Sequence, residues 1–220
     1  MRAIAGVFVA ILFTSAAWAD DAPTPAPDDT AAPAPAETPA PPPPAPVYTG
    51  PVVTMETSMG TITITLDAEH APISTANFLR YVRDKHYDGT VFYRVQPGFV
   101  LQAGSYKADG SFKGGLRKQI MFEGNNGLKN IRGSIAMARG DAPVSADAEF
   151  FINLSDTPGL DWTGDAAFKT GYAVFGHVTG GMDVVDAISK VPTNGGKGPF
   201  PKAAPVTPVT IKKATVTAAP

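Results

Sequence analysis

Arg94 and Gln102 are the residues whose types and setting best suit chemistry in this chain. They flank the Pro97-Gly98 pair in the run Phe92-Tyr93-Arg94-Val95-Gln96-Pro97-Gly98-Phe99-Val100-Leu101-Gln102-Ala103-Gly104. Phe and Val suit a half-buried pleated surface and Pro-Gly punctuates it, so the run predicts two short strands joined by a turn. Strand alternation puts Phe92 and Arg94 on one face of the first strand, and Val100 and Gln102 on one face of the second. A guanidinium and a carboxamide beside apolar side chains have the makeup of a ligand cleft, in which a few polar groups orient an otherwise apolar contact. The plainer reading is a surface arginine on an edge strand.

Glu149-Phe150-Phe151 repeats the pattern. Glu149 and Phe151 fall on one face and Phe150 on the other, so one ring can enter a core while the other lines a cleft beside a polar group. Met137-Ala138, closing another strand, is followed by Arg139 in a loop. Other searches point away from metal and phosphate chemistry. His70, His86 and His177 have no metal-ligand spacing. Gly195-Gly196-Lys197-Gly198 is followed by Pro199 rather than by Ser or Thr and a helix, which makes it a plain loop. Asn153-Leu154-Ser155 fits a glycosylation sequon but falls in an expected strand. No serine stands in a nucleophile-elbow pattern.

Composition narrows the classes further. The 220 residues are 44% hydrophobic, enough for one ordinary domain plus tails. The net charge is -2 without a clustered basic run, which argues against a nucleic-acid partner. Cysteine is absent, excluding disulfides, thiolate metal sites, a cysteine nucleophile and a lipid-modified N-terminal cysteine.

Residues 1–19 have the order of a secretory signal: Arg2, an apolar run from Ala3 to Phe13, then Ala17-Trp18-Ala19, with cleavage expected after Ala19. The apolar run is shorter than the roughly 20 residues of a spanning helix; an uncleaved anchor is the alternative. A cleaved product is expected to be soluble in the periplasm. Residues 20–51 change abruptly to Ala, Pro, Asp and Thr, a composition that cannot bury enough apolar area to offset the entropy of ordering. They are read as an extended spacer.

The folded domain is expected over residues 52–217. Val52 to Thr57 and Thr61 to Leu66 predict a hairpin around Ser58-Met59-Gly60. Pro72 to Lys85 predicts a helix with Ile73, Ala76, Phe78, Leu79 and Val82 as its apolar stripe, and Gly181 to Lys190 a second helix. Further strands are expected at Ile120 to Phe122, Ser134 to Ala138, Glu149 to Leu154, Tyr172 to His177 and Val209 to Val216. Roughly eight short strands with two helices predict a mainly β domain, and a closed antiparallel barrel is favoured because closure leaves no bare edge.

Taken together, Phe92 to Gly104, Gly133-Ser134-Ile135-Ala136-Met137-Ala138-Arg139, Glu149 to Asn153 and Gly171-Tyr172-Ala173-Val174-Phe175-Gly176 resemble the cyclophilin family of peptidyl-prolyl cis-trans isomerases. Order and spacing agree over nearly all of residues 52–217, and Ala138-Arg139, the Tyr172 to Gly176 run and the signal-like start look most like periplasmic cyclophilins of Gram-negative bacteria. The resemblance implies an eight-stranded antiparallel barrel capped by two helices that acts on Pro-containing polypeptides with no cofactor or metal; a monomer is the working expectation. It puts Arg94 in the place of the catalytic arginine and Gln102 in that of a substrate-binding glutamine. Phe99, Val100, Phe151 and Leu160 match the pocket for the proline ring, with Phe99 acting from the irregular start of its strand. Ala138 and Arg139 match the segment beside the residue that precedes proline.

Three positions depart from the family. Glu149 stands where Gln is usual, Tyr172 where many eukaryotic members have His, and Gly159 where the human type has a Trp that binds cyclosporin. Catalysis is expected to survive and cyclosporin binding to be weak. For Glu149 two roles are open, orienting Arg94 or competing with substrate for it. The rival readings of the domain are a non-catalytic chaperone or binding module for Pro-containing segments, and an envelope interaction protein working through its Pro-rich tail.

Overall fold

The computed structural model describes residues 49–164 and 170–217. The expected signal segment, and the expected spacer up to residue 48, lie outside the described residues. Eight strands and two helices follow in the order β1 (Val52–Thr57), β2 (Gly60–Leu66), α1 (Pro72–Arg83), β3 (Arg94–Gln96), β4 (Val100–Ala103), β5 (Ser134–Met137), β6 (Phe150–Asn153), β7 (Val174–Gly180), α2 (Met182–Ser189) and β8 (Ile211–Thr217).

All ladders are antiparallel, and they run β3-β4-β6-β5-β7-β2-β1-β8. The expected closed barrel is therefore an open half-barrel, with β3 and β8 as its edges. The seam between them carries no regular ladder among the described residues, only a short run of contacts made by the chain ahead of β3: Gly89 N–H to the Ile211 carbonyl (2.8 Å), Ile211 N–H to the Thr90 carbonyl (2.8 Å), the Val91–Thr210 bridge, Phe92 N–H to the Val209 carbonyl (2.9 Å) and, from β3, Val95 N–H to the Ala203 carbonyl (2.8 Å). A continuous ladder needs a donor at alternate positions, and the approach to β8 carries Pro199, Pro201, Pro205 and Pro208, which have none.

The strand expected at Ile120 to Phe122 is irregular chain. Ile120 N–H reaches the Ala146 carbonyl at 3.0 Å, but Ala146 belongs to no strand and Met121 is 63% exposed. Helix α1 buries Phe78, Leu79 and Val82 of the expected stripe but not the other two residues. Ile73 and Ala76 are exposed, whereas Thr75, Phe78, Leu79, Tyr81 and Val82 face the core. It ends at Arg83, and Lys85 takes the left-handed conformation (φ 56°) that turns the chain away.

Alternation divides the sheet into two faces. Phe150 and Ile152 of β6 point into the main core with Leu101, Ile135 and Phe175, while Phe78 of α1 fills that core at 5.1 to 5.5 Å from the rings of Tyr87, Phe150 and Phe175. The opposite face of the same strands carries a smaller cluster, Val100, Ala136, Ala138, Phe151 and Val174, with Phe99, Leu160 and Tyr172 packed against it. That outer face holds the site.

Candidate active site

One row of cross-strand partners builds the site. Arg94 of β3 is opposite Gln102 of β4, Gln102 is opposite Phe151 of β6, Phe151 is opposite Ala136 of β5, and Ala136 is opposite Val174 of β7. Partners in such a row share a face and stand within side-chain reach of each other. The sheet thus places a guanidinium and a carboxamide at one end of an apolar strip.

The strip is the floor of a cleft of about 240 Å³. Phe99, Val100, Phe151 and Leu160 supply apolar wall, Ala138, Arg139 and Tyr172 close one side, and Arg94 and Gln102 close the other. Phe200 completes the lining from the loop before β8. Of the catalytic and substrate-binding residues expected from the sequence, only Glu149 does not line this cleft. It lies behind Gln102 and lines a neighbouring hollow that shares Ala138 and Arg139 with the first.

Arg94 is held on several sides. Its Nη1 donates to Gln102 Oε1 (3.2 Å) and its Nη2 to Gln96 Oε1 (2.9 Å). The guanidinium carbon is 4.7 Å from the centre of the Phe200 ring and 5.7 Å from that of Phe99, both within cation–π range. Phe92 does not share its face as alternation predicted. The ladder begins only at Arg94, and Phe92, ahead of it, is fully buried in the main core against Phe150.

Arg139 is anchored by its Nε to the Gly171 carbonyl (2.8 Å) and its Nη1 to the Gly140 carbonyl (2.9 Å), with its guanidinium 5.0 Å from the Tyr172 ring centre. Tyr172 in turn packs edge-on to Phe151 at 5.3 Å. This side of the cleft is therefore braced rather than open.

Behind the cleft, Tyr93 donates its hydroxyl proton to Glu149 Oε2 (2.8 Å), and Gln102 Nε2 donates to the Tyr93 oxygen (2.5 Å) and to Glu149 Oε2 (3.4 Å). Burial raises the Glu149 pKa above the ordinary carboxylate value, opposed by the hydrogen bond from Tyr93. Burial, reinforced by the Glu149 charge, holds the Tyr93 phenol protonated far above its usual range. The direct approach of Glu149 to Arg94 considered from the sequence is not made; among the described residues no ion pair joins them. Tyr93 and Phe200 were not picked out by sequence reasoning. Tyr93 was treated only as part of a strand, and Phe200 follows a Gly/Pro-rich loop without any periodicity to mark it.

With this geometry in place, the comparisons with known proteins are specific. Residues 52–216 match the family model described as cyclophilin type peptidyl-prolyl cis-trans isomerase/CLD. The chain belongs to the cyclophilin family. It is a peptidyl-prolyl cis-trans isomerase. A peptidyl-prolyl cis-trans isomerase of Streptomyces antibioticus is 44% identical over 164 residues, 74% of this chain and 97% of the relative. Isomerase B of Escherichia coli is 42% identical over 165 residues, 75% of this chain and 99% of the relative. Among solved structures, a cyclophilin-type isomerase of Cryptosporidium parvum superposes with a TM-score of 0.61 at 22% identity, covering 77% of this chain and 99% of that one; this likeness concerns the fold. Among the described residues of this cyclophilin, no three His, Asp or Glu side chains are grouped to hold a metal ion, and no helix is long and apolar enough to cross a membrane.

Proposed function

We propose that this cyclophilin accelerates X-Pro rotation in exported polypeptides by holding the proline ring in its apolar cleft while Arg94 stabilises the twisted amide. The observation that carries this reading is the row Arg94–Gln102–Phe151, which sets one fixed donor beside an apolar cleft. The bond resists rotation by roughly 18 to 20 kcal/mol because its C–N linkage is partly double. The two isomers differ by only about 1 kcal/mol, so the catalyst has to favour the twisted state alone.

As the amide twists, resonance is lost and the proline nitrogen recovers its lone pair. An Arg94 N–H aimed at that nitrogen, or at the adjacent carbonyl, binds the twisted form more strongly than either planar form. Phe99, Val100, Phe151 and Leu160 hold the ring. Ala138 and Arg139 lie alongside the residue preceding proline, so the acyl side turns while the ring stays fixed. No bond is made or broken, and no cofactor is required by this account.

The sequence of residues 1–19 supports a periplasmic site of action for a mature chain that starts at Asp20. Two measurements test these claims. Fractionation of the producing cell with N-terminal sequencing is expected to find the protein in the periplasm starting at Asp20; a cytoplasmic, full-length chain would contradict export. Refolding of a substrate protein whose slow phase is proline-limited is expected to be accelerated by catalytic amounts of residues 20–220, and equally after deletion of residues 20–50. A benefit seen only at stoichiometric amounts would instead indicate a holding chaperone.

A further inference from the structure

Four groups, Arg94 and Gln102 at the cleft and Tyr93 and Glu149 behind it, form a directed chain of donors and acceptors. Arg94 can only donate, and it donates to Gln102 Oε1 at 3.2 Å. At the other end, the ionised Glu149 carboxylate can only accept, and Tyr93 gives it its single hydroxyl proton at 2.8 Å. The Tyr93 oxygen is then left as an acceptor as well. Both neighbours of Gln102 on that side therefore require its NH2, and the amide carbonyl must face Arg94. Turning the amide over would set NH2 against the guanidinium N–H groups and a carbonyl against a carboxylate.

We propose that Glu149, together with Tyr93, is a positioning residue that fixes the sense of the Gln102 amide and thereby presents Arg94 to the substrate. The inference rests on Arg94 being the group that acts on the twisted amide. A neutral side chain at 149 can donate as well as accept, so it no longer dictates which end of Gln102 faces Arg94. Gln102 is 8% exposed and Glu149 is half-buried, which limits the water that could substitute for the lost order.

Protonation of Glu149 removes the same constraint. Burial and the negative charge of Asp147 make its proton easier to add, against the hydrogen bonds from Tyr93 and Gln102. The other titratable or charged groups around it are Tyr106, whose phenol feels the Glu149 charge, Arg139 across the shared hollow, and Arg94 beyond Gln102. Activity of the native protein should therefore fall on the acid side, beginning above the ordinary carboxylate range.

The test is exchange NMR of an Ala-Pro peptide with the purified protein, measured from neutral to acid pH, for the native chain, Glu149→Gln, Tyr93→Phe and Arg94→Ala. Glu149→Gln is expected to lose about tenfold in kcat at neutral pH with little change in KM, since a displaced catalytic donor costs the transition state rather than binding. It should also lose the acid limb. Tyr93→Phe, which keeps the ring, should be slower but retain that limb. A Glu149→Gln protein with native kcat, or with the native acid limb, overturns the inference, as does a native profile that is flat on the acid side. If Arg94→Ala is slow while Glu149→Gln is native, the positioning role alone fails. If Arg94→Ala is also native, the role of Arg94 fails with it.

Discussion

Phe200, from the loop ahead of the last strand, lies beneath the guanidinium of Arg94, with 4.7 Å between the guanidinium carbon and the ring centre. The same ring stacks on Tyr93 at 6.1 Å, with 13° between the planes. One exposed aromatic thus braces both the proposed catalytic donor and the tyrosine behind it. A cation over an aromatic face contributes about 0.5 to 2 kcal/mol, equivalent to roughly 2- to 30-fold in rate. Phe200→Ala should lower kcat/KM within that range and, because the residue is 40% exposed, leave the melting temperature nearly unchanged. Native kcat/KM in the variant would remove Phe200 from the site.

Phe200 also shows where sequence reading stops. The strands β1 and β6 and the outward placement of Val100, Gln102 and Phe151 follow from a period of two, which survives wherever a ladder is regular. Phe92 was misassigned because the ladder starts two residues after it, and Ile73 and Ala76 of the α1 stripe because the helix packs Tyr81 and Thr75 against the core in their stead, beside Phe78, Leu79 and Val82. Closure failed for a related reason: Pro-rich chain at the seam cannot supply ladder donors, a cost that counting strands does not reveal. The sequence left the role of Glu149 toward Arg94 open, and the link runs through Gln102, since side-chain hydrogen bonds depend on distances that pattern alone does not contain.

Helix α1 lacks a capping side chain of its own, since Ala71 is at its N-cap. Glu123 takes that part from a distant loop, accepting from Ile73 N–H at 3.0 Å and Ser74 N–H at 2.5 Å. A carboxylate at the positive end of a helix satisfies free N–H groups and the dipole together. Glu123→Ala is expected to cost about 1 to 3 kcal/mol in urea unfolding, and Glu123→Gln less. Equal stability of Glu123→Ala and the native protein would show that the cap contributes nothing.

His86 is buried, with its Nε2 2.9 Å from the Gly104 carbonyl, and burial lowers its pKa. In the unfolded chain it takes a proton near about pH 6.5. The folded state therefore keeps its full His86 contribution above that pH and loses it as pH falls from there through the lower folded pKa. His177, also lowered by burial, has the same sign, whereas Glu149, raised by burial, opposes it. Comparison isolates His86: His86→Asn should destabilise by about 1 to 3 kcal/mol at neutral pH and by less near about pH 5. A penalty that does not shrink on acidification would contradict the assignment.

A side chain at Gly159 would enter open space, since nothing lies within 4 Å of a Cβ built there. The cleft thus lacks an indole donor at this position, which should leave cyclosporin inhibition no tighter than roughly micromolar. Gly159→Trp should tighten inhibition by about tenfold or more, as one added hydrogen bond and its apolar contact can. Sub-micromolar inhibition of the native protein would contradict the reading.

The central claim is that Arg94 stabilises the twisted amide, and the most direct measurement is the cis-to-trans rate of an Ala-Pro peptide with purified residues 20–220 and with Arg94→Ala. Removing one donor aimed at a transition state typically costs about 10² to 10³ in turnover. The account predicts a loss of that size in the variant, with the fold intact by circular dichroism. A variant that turns over the peptide at the native rate would contradict it.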